Sequence, residues 1–351
     1  MKLRFYTATP FNVVQGSGTF SGLNSLVNGL RAAGATVEVI GPRSRLPNFT
    51  AERYLFNRWI TTLDRSDCDA TIGYDLDGYR LAGTSGPPHL AAVKGVIADE
   101  RIHERGINRL LLGLQSRWER RHVQRANRVT TSSAYSAGRI TSLYGPCAPV
   151  QVIPEPINLA LWKESFRKNP AQPDPRHFTV LCVCRFFPRK RVNMLLRAIA
   201  LARRSIDNIQ LRIVGDGAEA NRLRQLTSEL GLECAVHWLG NAEPSQLAIE
   251  YQQCDVFCLP SVQEGFGVVF LEAMAAAKPI VAVRAAAVPE VAPHALLADP
   301  DSPASLAEQL TRLAADPALR TTIGQEGFAR VQQFDQPVVA AEFLQMVEKL
   351  L

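Results

Sequence analysis

The chain has 351 residues, of which 46% are hydrophobic and 21% charged, and its formal net charge is +6. A chain of this length usually folds into more than one domain, and the composition is typical of a globular protein rather than a disordered one. No apolar run reaches the ~18 residues of a membrane span, and no signal peptide precedes the first strand, so we expect a cytoplasmic protein. The seven cysteines lack zinc spacing, which favours free thiols and predicts no metal site.

The first 40 residues alternate between strand and helix patterns. Residues 3–8 and 36–40 have apolar strand patterns, and residues 21–33 carry an apolar stripe at helical spacing. Gly16 and Gly18 predict a glycine-rich turn between the first strand and the helix. A strand–helix–strand unit of this kind predicts an α/β fold with a parallel, doubly wound sheet.

Two further predicted strands end at charged residues. Residues 70–74 precede Asp75-Leu76-Asp77, and residues 88–93 precede Lys94. We interpret the D-x-D triplet as a chance loop sequence, with Asp75 lining a cleft at most. Lys94 can offset the charge of a bound anion, or it can be an ordinary exposed lysine at a strand end.

Residues 101–128 concentrate the positive charge of the chain. They hold eight arginines against Glu104 and Glu119, and eight minus two equals the net charge of the whole chain. A helix predicted over residues 104–126 is expected to turn one apolar stripe toward the core, formed by Ile107, Leu110, Leu111, Leu114, Trp118 and Val123. The arginines fall mainly elsewhere on its surface, so the segment is either a solvated basic face or a surface for an anionic partner, such as a lipid leaflet or an acidic acceptor chain. They are Arg101, Arg105, Arg109, Arg117, Arg120, Arg121, Arg125 and Arg128.

The second half resumes the strand–helix alternation after residues 161–176, whose prolines predict a linker. A strand over residues 178–184 is followed by Arg185 and, five residues later, by Lys190 at the start of a helix. Later strands lead into Gly215 and Asn241. Two cations between a strand and a helix are typical of an anion-binding site, with solvated surface cations as the alternative.

Residues 255–290 have the pattern strand, loop, helix, strand. The loop is Glu264-Gly265-Phe266-Gly267, and the helix from Val268 places Glu272 eight residues after Glu264. The two glycines allow close approach of the backbone to a ligand, and the start of the helix offers free N–H groups to an anion. The two carboxylates would flank a bound diphosphate over the helix N-terminus.

The run LPS-x-x-EGFG-x-x-x-LEAMA within this stretch resembles the E-x7-E signature of retaining, nucleotide-sugar-dependent glycosyltransferases of the large "glycosyl transferases group 1" family. The resemblance implies the GT-B fold, in which two Rossmann-like, doubly wound parallel-sheet domains face a central cleft. It implies an acceptor domain over 1–160, a linker over 161–176, a donor domain over 177–335, and a final helix over 336–351 that crosses back to the first domain. It also implies transfer of a hexose from a UDP- or GDP-sugar to an acceptor hydroxyl with retention.

The resemblance assigns roles to residues on both domains. Four are implied to be catalytic: Glu264 at the sugar hydroxyls, Arg185 and Lys190 at the diphosphate, and Lys94 at the position of the family's histidine near the reacting centre. The implied donor-binding residues include Glu272 at the ribose and backbone N–H groups at the distal phosphate; they are Glu272, Gly265, Phe266, Gly267, Val268, Gly16, Gly18, Gly215 and Asn241. No metal and no cofactor beyond the nucleotide-sugar co-substrate are expected.

Three departures from the family pattern keep alternatives open. Lys94 stands for the histidine, Cys184 for a glycine, and alanines at 285–287 for a second glycine-rich loop. An inactive sugar-nucleotide-binding or scaffold protein and a GT-B epimerase are therefore the rival functions. The acceptor stays open between a glycan, a lipid-linked and a small molecule, and no nucleic-acid partner is expected. Attachment of residues 101–128 to the inner face of a membrane is the alternative to a purely cytoplasmic location.

Overall fold

The computed structural model describes residues 1–10 and 13–351, and the side chains of residues 11–19 lie outside that description. Its strands, in chain order, are β1 (Lys2–Tyr6), β2 (Thr36–Ile40), β3 (Ala70–Tyr74), β4 (His89–Val93), β5 (Arg128–Thr131), β6 (Val150–Val152), β7 (Phe178–Val183), β8 (Ile209–Val214), β9 (Val236–Gly240), β10 (Val256–Leu259), β11 (Ile280–Val283) and β12 (Leu296–Ala298).

The α-helices, in chain order, are α1 (Val13–Ala32), α2 (Phe49–Trp59), α3 (Ile97–Glu100), α4 (Gly106–Arg125), α5 (Ala134–Tyr144), α6 (Leu159–Lys168), α7 (Val192–Ala202), α8 (Ala220–Glu229), α9 (Pro244–Gln253), α10 (Val268–Ala275), α11 (Val288–Val291), α12 (Pro303–Ala315), α13 (Pro317–Val331) and α14 (Gln336–Glu348). Short 3-10 helices cover Ile60–Thr62, Arg101–His103, Pro188–Lys190 and Gln332–Phe334. No helix in the described ranges combines the length and the apolar character needed to cross a bilayer.

The chain divides into two compact units. Unit 1 comprises Met1–Pro156 and Gln336–Leu351, and unit 2 comprises Ile157–Asp335. The sheet of unit 1 has the order β2-β1-β3-β4-β5-β6, and that of unit 2 has the order β12-β11-β10-β7-β8-β9. Neighbouring strands pair in parallel throughout both sheets. The predicted doubly wound α/β architecture is therefore confirmed.

The strands are apolar because helices cover both faces of each sheet. In unit 1, Phe5 of β1 and Tyr74 of β3 are fully buried in a cluster that also holds Phe343 of α14. Helix α14 approaches α1 closely at Gly29, where an added Cβ would lie 2.9 Å from the Cβ of Ala340. A glycine at this position lets the last helix of the chain complete the core of unit 1.

Two sequence-based predictions about local structure are wrong. The glycine-rich turn around Gly16 and Gly18 falls inside α1, which begins at Val13; the surroundings of both glycines lie outside the described side chains, so their donor-binding roles stay predictions. The first half of the predicted linker forms α6, whose Trp162 packs edge-on against Tyr251 at 5.6 Å between ring centroids. Packing of a half-buried aromatic side chain outweighs the linker-like composition there.

Helix α4 also departs from its prediction, because it buries polar residues. Gln115, Glu119 and His122 are buried, whereas Ile107 and Leu110 of the predicted core stripe are 67% and 68% exposed. Partners from distant segments fix this orientation. The side-chain amide of Gln115 donates to Thr50 Oγ1 (2.8 Å), and a carboxylate oxygen of Glu119 accepts from the backbone N–H of Ile97 (2.8 Å).

Candidate active site

The carboxyl ends of β7 and β10 form the topological switch point of unit 2. These strands are neighbours, and the chain proceeds from them toward opposite edges of the sheet. Loops diverge at such a point and leave a crevice, which is where open α/β sheets bind ligands. Two hydrogen bonds join the loops, because the backbone N–H of Val262 (2.9 Å) and the hydroxyl of Ser261 (3.2 Å) both donate to the carbonyl of Arg189.

Lys190 and Glu264 meet across this switch point. Lys190 ends the 3-10 helix after β7, Glu264 lies in the loop after β10, and Nζ of the lysine donates to Oε1 of the carboxylate. Both side chains are nearly buried, at 13% and 8% exposure. Burial alone would raise the pKa of Glu264, but the charges of Lys190 and Arg189 outweigh it and leave that pKa below its ordinary value. The site therefore holds an ionised carboxylate beside fixed positive charge.

The loop after Glu264 leads directly into α10. Gly267 precedes the helix with φ of 92°, and an added Cβ would lie 2.6 Å from Cδ2 of Phe270, so only glycine fits there. The side chain of Phe266 is buried, and its ring packs edge-on against Phe334 at 5.4 Å. Residues 265–268 can therefore offer a ligand mainly backbone N–H groups, as the first turn of a helix does.

Glu272 lies on the second turn of α10. Its carboxylate accepts a hydrogen bond from a residue of this chain that the sequence did not indicate. The hydroxyl of Tyr251, on α9, donates to Oε2 of Glu272 at 2.8 Å. Burial raises the pKa of Glu272 to about 7, and the tyrosine bond opposes that shift only in part. Tyr251 was missed because it lies within an unremarkable helical pattern, and only the fold brings it to the carboxylate.

The carboxyl ends of the neighbouring strands β7, β8 and β9 lead into Arg185, Gly215 and Asn241, respectively. Gly215 has φ of 129°, and an added Cβ would lie 1.9 Å from the carbonyl oxygen of Cys184. This close packing of neighbouring strand ends explains the glycine without a ligand, so its donor-binding role stays a prediction. Asn241 is exposed just beyond β9. Arg185 follows Cys184 directly and is partly buried.

In unit 1, Lys94 is a buried and paired cation. Its Nζ lies 2.8 Å from Oε1 of Glu155 and 5.3 Å from the ring centroid of Tyr74, and the two charged side chains are 12% and 7% exposed. Burial lowers the pKa of Lys94, but the carboxylate of Glu155 outweighs it and raises that pKa above its ordinary value. The alternative of an exposed lysine is therefore wrong. Gly22 of α1 makes room for the pair, because an added Cβ there would lie 2.0 Å from Oε2 of Glu155.

Both carboxylates of the D-x-D triplet bind other parts of unit 1. Asp77 is fully buried and accepts hydrogen bonds from the Ala8 N–H (2.7 Å), the Asn57 amide (3.0 Å) and Nη2 of Arg53 (3.0 Å). Asp75 has φ of 52° and accepts from the backbone N–H of Lys94 at 3.0 Å, and burial raises its pKa to about 6. The triplet thus holds β1, β3, β4 and α2 together.

Comparison with known proteins relates unit 2 to a family of glycosyltransferases. Residues 163–330, nearly all of unit 2, match the sequence model of the family described as "Glycosyl transferases group 1". This region is similar to the group 1 glycosyltransferases. The matched region contains Arg185, Lys190, Glu264 and Glu272, whereas Lys94 lies outside it.

Two similar curated proteins are glycosyltransferases by name. The chain is 29% identical over 256 residues to a "GDP-mannose-dependent alpha-(1-6)-phosphatidylinositol monomannoside mannosyltransferase" of Mycobacterium tuberculosis, covering 68% of this chain and 65% of that protein. It is 30% identical over 225 residues to a D-inositol 3-phosphate glycosyltransferase of Pseudarthrobacter chlorophenolicus, covering 61% of this chain and 54% of that protein. The match thus spans less than two thirds of either relative.

Solved structures establish the fold of the chain. Sucrose-phosphate synthase from Thermosynechococcus elongatus matches with a TM-score of 0.84 at 23% identity, covering 99% of this chain and 98% of that one. WaaG, a glycosyltransferase involved in lipopolysaccharide biosynthesis, matches with a TM-score of 0.75 at 16% identity, covering 98% and 99%. Together with the two parallel sheets, these matches confirm the two-domain, Rossmann-like GT-B fold predicted from the sequence.

Proposed function

We propose that the chain is a retaining hexosyltransferase that moves a sugar from a UDP- or GDP-sugar to an acceptor hydroxyl. One observation carries the proposal. The Lys190–Glu264 contact lies at the switch point of unit 2, directly before α10, in the region that matches the family model. This arrangement offers a cation to a diphosphate and a carboxylate to sugar hydroxyls within one site.

The geometry supports separate binding roles for these residues along the donor molecule. The diphosphate would bind at the N-terminus of α10 and beside Arg185 and Lys190, and Glu272 would accept hydrogen bonds from the ribose hydroxyls. An ammonium group has three donors, so Lys190 can keep its bond to Glu264 while it donates to a phosphate oxygen. Glu264 has lone pairs left for the sugar hydroxyls. The preformed contact therefore orients both groups before the donor arrives.

The proposed reaction breaks the bond between the anomeric carbon and the diphosphate oxygen. The electron pair of that bond leaves with the nucleoside diphosphate, whose growing negative charge the cations and the α10 N–H groups stabilise. The acceptor oxygen bonds to the anomeric carbon on the same face, and its proton passes to the departing phosphate oxygen. The product keeps the anomeric configuration of the donor.

We further propose that this charge stabilisation needs no divalent metal. Arg185, Lys190 and the helix N-terminus supply positive charge where the leaving group develops its own, and Asp75 and Asp77 bind protein groups of unit 1. We expect sugar transfer to continue unchanged in EDTA. Loss of transfer that manganese or magnesium restores would contradict this proposal.

A donor and acceptor panel tests the function. The names of the mycobacterial relatives make GDP-mannose the first donor to try, and UDP-glucose follows because a solved structure with the same fold holds UDP and glucose. Mass spectrometry would detect the transferred hexose, and proton NMR would report its anomeric configuration. An α-linked product from an α-linked donor supports the proposal.

Three other outcomes overturn it in different ways. A β-linked product means inversion. Conversion of the donor sugar into its epimer means an epimerase. Binding of the nucleotide sugar in a thermal-shift assay, with neither hydrolysis nor transfer across the acceptor panel, means an inactive binding protein. Arg191→Ala is the matched control for the variants Arg185→Ala and Lys190→Ala. Arg191 lies in the same loop as these two residues but pairs with Asp301 at 2.8 Å.

A further inference from the structure

One row of side chains runs along the exposed side of α4. Its first half carries Ile107, Leu110 and Leu114, which are 67%, 68% and 39% exposed. Its second half carries Arg117, Arg121 and Arg125, which are also exposed. Steps of three and four residues keep these six side chains on one face of a helix. The row therefore changes from aliphatic to basic along its length.

The other face of α4 explains why the row points outward. Gln115, Glu119 and His122 are buried and hydrogen-bonded to other segments of unit 1, so the helix cannot rotate its aliphatic side chains inward without breaking those bonds. Ile102, in the 3-10 helix just before α4, is also an exposed aliphatic residue, at 55% exposure. A cluster of exposed aliphatic side chains on a folded surface marks an interaction site.

The charge around the row is positive and lacks local compensation. Glu119 is fully buried, and burial raises its pKa well above the ordinary value, which leaves Glu104 as the accessible carboxylate among residues 101–128. Within the described part of the chain, Arg117, Arg121 and Arg125 enter no ion pair. A partner of this surface must therefore offer apolar contact next to negative charge.

We propose that this row docks on an anionic lipid surface. The first half of α4 would place Ile107, Leu110 and Leu114 at the boundary between headgroups and acyl chains, and Arg117, Arg121 and Arg125 would lie on lipid phosphates. A convex helix with long aliphatic and guanidinium side chains fits the headgroup region of a leaflet, because both kinds of side chain can bury their stems there. This attachment is independent of the proposed sugar transfer.

Co-sedimentation of the full chain with vesicles tests the attachment. We expect binding to vesicles of equimolar phosphatidylcholine and phosphatidylglycerol, weakening with added salt, and little binding to phosphatidylcholine alone. Each arginine at an anionic surface contributes about fivefold in binding, so Arg117→Gln/Arg121→Gln should weaken it about 25-fold. Ile107→Gln/Leu110→Gln/Leu114→Gln should weaken binding at low and high salt alike, since its contribution is not electrostatic.

Arg109→Gln/Arg120→Gln is the matched control, because it removes the same charge from the same helix but lies off the row. Vesicle binding that falls equally in this control means attraction by net charge alone and overturns the docking face. Absence of binding at low salt also overturns it. Self-association without lipid that the aliphatic variant abolishes would assign the row to a second copy of the chain instead. All variants change exposed side chains, and unchanged melting temperatures would verify that they fold.

Discussion

Units 1 and 2 both carry charged residues at the carboxyl ends of their parallel strands, yet they use them differently. In unit 1, Lys94 pairs with Glu155 and Asp77 with Arg53, and each carboxylate serves buried parts of the same unit. In unit 2, Lys190 and Glu264 pair beside a glycine-containing loop and the start of α10. The comparison teaches that a charge at a strand end is not by itself a ligand site. Its surroundings decide whether it holds the fold or remains available to a ligand.

Arg185→Ala should have the largest effect on turnover. Such a loss would show that Arg185, at the carboxyl end of β7, takes part in catalysis. Removing one preorganised donor from developing negative charge lowers turnover by about two to four powers of ten. Turnover is to be measured with saturating donor and compared with Arg191→Ala, which should stay near the wild type. Near-normal turnover in a folded Arg185→Ala protein would contradict the diphosphate assignment. Lys190→Ala should show a similar loss, but it also leaves Glu264 without its partner, so its melting temperature must be checked.

Lys94→Met should mainly destabilise unit 1. It leaves the carboxylate of Glu155 buried without its cation, and breaking a buried pair in this way usually costs about 3–5 kcal/mol. The second change in Lys94→Met/Glu155→Leu removes the unpaired charge and should recover most of the melting temperature. Turnover of this double variant then tests the predicted catalytic role of Lys94. We expect turnover to stay low although stability returns, and recovery of both would make the pair purely structural.

Gly215→Ala should damage unit 2 through its backbone rather than through a ligand. A Cβ at φ of 129° is strained, and this one would lie 1.9 Å from the carbonyl oxygen of Cys184. We expect a loss of about 2–4 kcal/mol in the free energy of unfolding, measured by chemical denaturation. Gly138→Ala is the control, because Gly138 lies on the exposed side of α5 with open space around it, and should be stabilised by about 1 kcal/mol. Equal stability of Gly215→Ala and the wild type would contradict the packing explanation.

Glu272 should give the smallest effect, seen as a pH dependence. Burial raises its folded pKa to about 7 from an ordinary 4.5, so its contribution to stability is full below about 4.5 and is lost as pH rises through about 7. Ionised Glu272 accepts hydrogen bonds more strongly, so nucleotide binding should instead strengthen through the same range by roughly 1–2 kcal/mol. Thermal-shift titrations with and without nucleotide would measure both trends. Glu272→Gln should abolish the trend in nucleotide binding and reduce the trend in stability, of which a part remains because burial also raises the pKa of Asp75, to about 6. Persistence of the binding trend in this variant would contradict the role of Glu272.

Much of the fold could be predicted because parallel strands covered on both faces are continuous apolar runs. Strands β2 and β3 coincide with the predicted residues 36–40 and 70–74, and helix α10 begins at the predicted Val268. The loop between Glu264 and α10 was also predictable, since glycines and a following helix are local signals. The orientation of α4 was not predictable, because its apolar stripe has the correct period but its polar residues find partners on β4, α2 and the first residue of α3.

The sequence by itself determined the α/β class, and it predicted a resemblance to the group 1 glycosyltransferases and the residues of a candidate donor site, because these depend on patterns within short segments. The tertiary structure decided which charges meet. Lys190 and Glu264 are 74 positions apart, and Tyr251 and Glu272 are 21 apart. Lys94 and Glu155 belong to different strand ends of unit 1. Such pairs form only when sheet order and helix packing place the side chains within hydrogen-bond distance, and burial then sets their charge states. No periodicity along the chain encodes either result.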